Sequence, residues 1–256
     1  MNSSNILRGF TAISLLFMLA GCSTSKDPAD EFKNQSAEQI YQGGEQAISA
    51  GNYSTAVKHF EALDSLYPFN NYQEKAMIDS IYAYYQAGDY ASSSAAAARF
   101  LHDYPASVHA DYALYMKGSA EMIQDRSWPQ RYLPVDVSSR DPGMAKVAFK
   151  DFSDLINIYP NSPYAPDARA RMVYLRNMFA KKEADIAEFY YNKKAYVASA
   201  NRGAFALEHY NGTPAEEKAL YFMVQSYRKL GQTDEADKAL GTLKLTFPKS
   251  DYLKKL

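Results

Sequence analysis

One pattern recurs along this chain, and self-similarity at a fixed short period is the mark of stacked copies of one structural unit. Gly51-Asn52-Tyr53, Ala56, Phe60, Leu63 and Tyr67-Pro68 form the first clear copy. A shift of 37 residues gives Gly88-Asp89-Tyr90, Ser93, Ala97, Phe100 and Tyr104-Pro105. A shift of 180 gives Gly231-Gln232-Thr233, Ala236, Leu240, Leu243 and Phe247-Pro248. Ala148, Phe152, Leu155 and Tyr159-Pro160 repeat the second half, and Tyr196, Ser199 and Tyr210 echo it without the Gly or the Pro.

Each part of the pattern has a mechanical reason. The Gly lets a first helix end in a left-handed cap. Ala56 and Ala236 let two helices approach closely. Phe60 and Leu63 follow Ala56 on one helical face. The Tyr-Pro pair stops the second helix, because Pro disfavours the α region for the residue before it. The unit is an antiparallel helix pair of about 34–37 residues, which resembles the tetratricopeptide repeat (TPR), with Gly44 and Gly118 at the small-residue position of the first helix. The expectation is an all-α TPR helical-repeat solenoid of five helix pairs, roughly 37–68, 72–105, 107–160, 163–211 and 214–248. Trp128-Pro129, Pro134 and Asp141-Pro142-Gly143 place an insert inside the third, with Asp141 and Pro142 suited to start the next helix. The fourth opens with a long helical run from Tyr164 to Lys193. Stacked pairs build a curved array with a concave face.

Residues 1–21 read differently. Arg8 supplies a positive start, Phe10 to Ala20 an apolar run of 11 residues, and Leu19-Ala20-Gly21-Cys22 a small-residue close. The run is too short to span a bilayer as a helix, which takes roughly 20 residues, and reads as a signal peptide. The tetrapeptide resembles the lipobox of bacterial lipoproteins, which implies lipid attachment at Cys22. Ser23, not Asp, follows it, which by the same resemblance implies the outer membrane. Cys22 is the chain's one cysteine, so neither a disulfide within the chain nor a Cys-based metal site is available. Residues 22–36 are polar and read as a lipidated tether.

The rest of the chemistry is sparse. With 28 Lys and Arg against 29 Asp and Glu, the chain lacks the basic excess of a nucleic-acid binder. His59, His102, His109 and His209 show no ligand spacing. The sequence holds no phosphate-binding Gly loop and no G-x-S-x-G elbow. The expectation is a chain that is not an enzyme and takes no cofactor or metal.

Tyrosine stands out, with 22 copies against one Trp. Tyr41 shares a helical face with Glu45, Tyr82 with Ile78 and Tyr85, and Tyr112 with Tyr115. By analogy with other TPR arrays these first-helix positions face the concave groove, where Tyr gives wide contact with a polar tip. Lys75 would add positive charge. The same spacing also suits plain packing between helices, as expected of Tyr84 and Tyr227.

Several segments are more specific than a generic repeat. Tyr67-Pro68-Phe69 with Ile81-Tyr82-Ala83-Tyr84-Tyr85, Ser139-Arg140-Asp141-Pro142 leading to Ala148-Phe149-Lys150-Asp151-Phe152, Tyr159-Pro160-Asn161-Ser162, and Glu188-Phe189-Tyr190-Tyr191 together resemble the BamD family of outer-membrane protein assembly lipoproteins. That resemblance implies a scaffold on the periplasmic face of the outer membrane. Its partners would be a β-barrel insertase with POTRA domains, smaller accessory lipoproteins and unfolded outer-membrane proteins. It implies N-terminal repeats that engage the substrate, and C-terminal repeats that dock the insertase through aromatic and basic residues matched by Tyr190, Tyr191, Lys193 and Arg202. The chain departs from the family at Tyr196, where relatives can carry Trp. A different TPR lipoprotein of the envelope, such as a pilotin or a division coordinator, stays open as an alternative, as does a peptidoglycan-acting enzyme, for which no acid pair or metal site speaks.

Overall fold

In four of the five helix pairs the first helix is stopped by one residue that turns left-handed. Gly51, Gly88 and Gly231 have φ of 74°, 81° and 71°. The residue after each closes the turn by donating to a carbonyl five positions back: Asn52 N to Ala47 O at 2.8 Å, Asp89 N to Tyr84 O at 3.0 Å and Gln232 N to Tyr227 O at 2.9 Å. This is the Schellman closure, and it reverses the chain into the second helix. The fourth pair uses Lys194 instead, at φ 62°, and Ala195 N donates to Tyr190 O at 2.9 Å in the same way.

The computed structural model describes residues 28–124 and 143–256. The signal segment, Cys22, and the insert residues Trp128, Pro129, Pro134, Asp141 and Pro142 lie outside them. Ten α-helices and no strands occur among the described residues: α1 Ala37–Ser49, α2 Tyr53–Leu66, α3 Gln73–Ala87, α4 Tyr90–Asp103, α5 Ala110–Gln124, α6 Gly143–Ile158, α7 Ala165–Asn192, α8 Tyr196–Tyr210, α9 Glu216–Lys229 and α10 Thr233–Thr246. They fall into five consecutive pairs. The chain divides into two compact units, one up to Gln73 and one from Glu74 onward.

In the first unit Ser36 caps α1. Its hydroxyl accepts from Gln39 N at 3.2 Å, while Gln39 Oε1 accepts from Ser36 N at 2.9 Å, a reciprocal capping box. Gly44 lets the buried Phe60 ring lie on the α1 backbone, where a Cβ would overlap it. The stretch read as tether is not all free chain. Pro28–Phe32 forms a 3₁₀ turn, and Phe32, 5% exposed, meets the His59 ring edge-on at 4.6 Å. An apolar ring in a polar stretch leaves water for the nearest apolar surface.

The second unit holds α3 to α10. Ala148, Phe152, Leu155, Leu175 and Phe179 form one apolar cluster, Ile81, Ala97 and Phe100 another, and Leu220, Val224 and Leu243 a third. Gly118 mirrors Gly44, with the Phe152 ring 3.0 Å from where its Cβ would stand. Ser93 and Ser199 take the place of Ala56, and each satisfies its buried hydroxyl on a carbonyl of the preceding helix, Ile81 O at 2.9 Å and Ala187 O at 2.8 Å. Both helix-pair devices, the small residue and the left-handed stop, thus recur where the sequence pattern places them.

A second motif joins one pair to the next. After four of the five second helices the chain runs Pro68-Phe69-Asn70, Pro105-Ala106-Ser107, Pro160-Asn161-Ser162 or Pro248-Lys249-Ser250. The polar residue accepts from a backbone N–H two positions on: Tyr72 N at 2.7 Å, His109 N at 3.0 Å, Tyr164 N at 3.2 Å and Tyr252 N at 3.0 Å. Ser107 and Ser162 also donate to acids in the first turn of an earlier helix, Glu74 and Asp111, both at 2.6 Å. The aromatic residue four after the Pro then lies against a first-helix tyrosine. Tyr72 meets Tyr41 at 5.1 Å, Tyr164 meets Tyr115 at 5.0 Å, and Tyr252 meets Tyr221 at 4.8 Å.

Candidate functional site

These stacks bear on the tyrosines assigned to a groove. In the first unit Tyr41 is 7% exposed, covered by Tyr72 and by Phe60. Its hydroxyl donates to Glu45 Oε1 at 3.1 Å, and Glu45 itself is exposed. Tyr41 is therefore packed as part of a joint, with Glu45 holding its polar end at the surface.

In the second unit the candidates come together on α3 and α5. Tyr82, Tyr85, Tyr112 and Tyr115 are all half-buried. Burial first, then the neighbouring phenols of Tyr164 and Tyr82, the Asp79 carboxylate and Tyr115, push the Tyr112 hydroxyl far above its usual range. Tyr85 meets Tyr90 edge-on at 5.2 Å. The Tyr115 hydroxyl donates to Asp167 Oδ2 at 2.7 Å and accepts from Arg171 Nη2 at 3.1 Å. The Arg171 guanidinium lies 5.4 Å from the Tyr115 ring centre and is paired through Nε with Asp167. Burial and this carboxylate raise the Tyr115 hydroxyl, while Arg171 and Tyr115 together hold Asp167 below the usual carboxylate range against its burial. Lys75 sits exposed in the first turn of α3. Arg171 is a cation directly beside Tyr115.

The docking candidates lie at the end of α7 and on α8. Tyr190 meets Phe189 edge-on at 5.6 Å, and Lys193 Nζ lies 5.7 Å over that same ring, which is 55% exposed. Tyr191 instead turns inward to Tyr196 at 5.5 Å and Phe222 at 5.6 Å. Beside Tyr196 a hollow of about 490 Å³ is walled by Val197, Asn201, Leu230 and Lys194. Arg202 stands apart. Its Nη1 donates to Glu183 Oε2 at 3.0 Å, and it lines a separate cavity of about 250 Å³ with Lys146, Lys182, Glu183, Phe179 and Tyr210. The four predicted residues thus divide into an exposed aromatic-basic edge, an inward tyrosine and a basic cavity.

Sequence reasoning missed Tyr72, Tyr164 and Tyr252, Arg171, and the Glu183 partner of Arg202. The aromatic residue four after Pro68, Pro160 and Pro248 is a readable signal for the first three. Two of the histidines serve packing: His59 Nδ1 lies 3.1 Å from Ile40 O with its pKa lowered chiefly by burial, and His209 stacks on Phe205 at 4.0 Å. No group of three or more metal-binding side chains occurs among the described residues, and no described helix is long and apolar enough to cross a membrane.

A family model described as YfiO, outer membrane lipoprotein, matches residues 33–255. The outer membrane protein assembly factor BamD of Vibrio cholerae is 38% identical, covering 93% of this chain and 97% of its own. BamD of Pasteurella multocida is 36% identical over 91% and 88%, and that of Neisseria meningitidis serogroup A 34% over 94% and 91%. A thermophilic TPR protein of known structure from Thermus thermophilus covers 86% of the chain and 96% of its own at TM-score 0.37 and 13% identity; the repeat assignment rests on the helix pairs themselves. On the family match and these relatives, this chain belongs to the BamD family of outer membrane lipoproteins.

Proposed function

We propose that this protein is a non-enzymatic scaffold of the outer-membrane β-barrel assembly machinery. It is anchored by a lipid on Cys22 to the periplasmic face of the outer membrane. Its C-terminal repeats dock a POTRA-containing barrel insertase, its N-terminal repeats engage unfolded outer-membrane proteins, and smaller accessory lipoproteins join it. The observation that carries this reading is the relatives that cover about nine-tenths of the chain under the name of outer membrane protein assembly factor. A lipid anchor needs no spanning helix.

Local chemistry supports the two contact regions. An unfolded strand presents aromatic side chains and unpaired backbone groups, and the half-buried Tyr82, Tyr85, Tyr112 and Tyr115 offer ring faces with hydroxyls beside the Arg171 cation. Aromatic rings with basic neighbours are the composition of interface hot spots, and Tyr190, Lys193 and the exposed Phe189 make such an edge. Arg202 in its basic cavity suits an acidic partner group.

The substrate part is tested by titrating a labelled peptide from the C-terminal strand of a barrel protein. Binding is expected to be weak, because an unfolded partner loses entropy on ordering. Tyr82→Ala and Tyr85→Ala should each weaken it roughly two- to tenfold, the worth of one aromatic contact, with helicity unchanged. A wild-type protein that ignores the peptide overturns the groove assignment.

A further inference from the structure

Between α5 and α6 lies a charge cluster that neither contact region uses. Lys117 and Glu121 stand one turn apart on α5, and Asp151 faces them from α6. Lys117 Nζ donates to Asp151 Oδ2 at 2.7 Å and lies 2.9 Å from Glu121 Oε1. From α4 the Ser94 hydroxyl donates to the same Glu121 oxygen at 2.9 Å. Glu121 is 3% exposed and Asp151 6%, so two carboxyl groups share one ammonium out of water. Glu121 Oε2 is buried and has no hydrogen-bond partner, although the two carboxyls lie within hydrogen-bonding reach of each other.

A buried carboxylate oxygen without a donor is costly, and a second carboxylate beside it adds repulsion. One proton removes both penalties. It turns one acid into a donor for the other, and it leaves Lys117 facing a single negative charge. We propose that Lys117, Glu121 and Asp151 form a proton-holding latch that ties α5 to α6 when protonated and slackens the third helix pair when the proton leaves.

Burial, reinforced by Glu121 and opposed by Lys117, pushes Asp151 up to about 7. Other charges near the pair have partners of their own. Lys150 on α6 is bound to Asp154. Arg171 on α7 comes within 5.9 Å of the Phe152 ring and is held by Asp167. A folded-state pKa raised above the ordinary carboxylate value stabilises the fold fully below that value and loses the stabilisation as pH rises through about 7. The sign is opposite to that of a salt-bridged acid with a depressed pKa, which loses its stabilisation in acid.

The test is thermal unfolding of the full-length protein between about pH 5 and pH 8. The folding equilibrium constant should fall with rising pH, by at most about tenfold per unit for one linked proton. Asp151→Asn, whose amide donates permanently, should flatten that slope and melt no lower than wild type at the alkaline end. A variant that keeps the wild-type slope overturns the latch. If the variant does not fold, carboxyl-carbon NMR of the wild type decides. A carboxyl titrating near neutrality supports the latch, whereas carboxyls that all titrate below about pH 5.5 overturn it.

Discussion

Lys194 holds a left-handed conformation that its counterparts Gly51, Gly88 and Gly231 adopt at no steric cost. For a residue with a Cβ that conformation costs on the order of 1–2 kcal/mol, partly offset because Gly is more disordered in the unfolded chain. Lys194→Gly should therefore stabilise the protein by about 0.5–1 kcal/mol, read as a shift of the urea midpoint with unchanged slope. An unchanged or lowered midpoint would mean that the lysine gains something else at this turn. Gly44 has the converse role. A methyl there would overlap the Phe60 ring, which is 3% exposed. Gly44→Ala should destabilise by about 1–3 kcal/mol in the same measurement, and Gly118→Ala, with 3.0 Å to the Phe152 ring, by less.

At the scale of the element, the helix pair is the part that the sequence makes plainest. Its stop and its close crossing depend on one Gly, one small residue and one Pro, and each acts through the local backbone. The joint between pairs was harder to read. Tyr41 and Tyr115 have the helical spacing of groove walls, yet their rings lie on Tyr72 and Tyr164, residues far along the chain. Periodicity reports which face a side chain is on and not what covers that face. The Lys117–Glu121–Asp151 cluster was hidden for a related reason, because its two helices are separated by the insert. The fourth pair shows how local signals mislead by absence: it lacks the Gly between its helices and the Pro after them, and Lys194 makes the left-handed turn nonetheless. If the tyrosine stack matters for joining pairs, Tyr164→Leu, which keeps apolar bulk, should cost about 0.5–1.5 kcal/mol, the worth of an aromatic pair beyond its area. Denaturant unfolding checks this, and no loss would reduce the stack to ordinary packing.

For the whole molecule, the two proposed contact regions differ in how directly their residues were foreseen. Tyr82, Tyr85, Tyr112 and Tyr115 gather in one neighbourhood, with Arg171 as a cation beside Tyr115 that the helical spacing does not reveal. The docking residues divide between the Phe189–Tyr190–Lys193 edge and the Arg202 cavity, so an insertase that uses both must reach across the α7–α8 hairpin. Removing one side of that contact should be selective. The measurement that bears most directly on the central claim is affinity capture of the full-length lipidated protein from detergent-extracted envelopes. Wild type should bring down a β-barrel protein with POTRA domains, together with small lipoproteins. Arg202→Glu should stay folded and lose the barrel, since reversing a charge that docking buries against an acidic group of the partner costs about 2–5 kcal/mol. Capture of wild type with no POTRA-containing barrel would contradict the account, whatever the variant does.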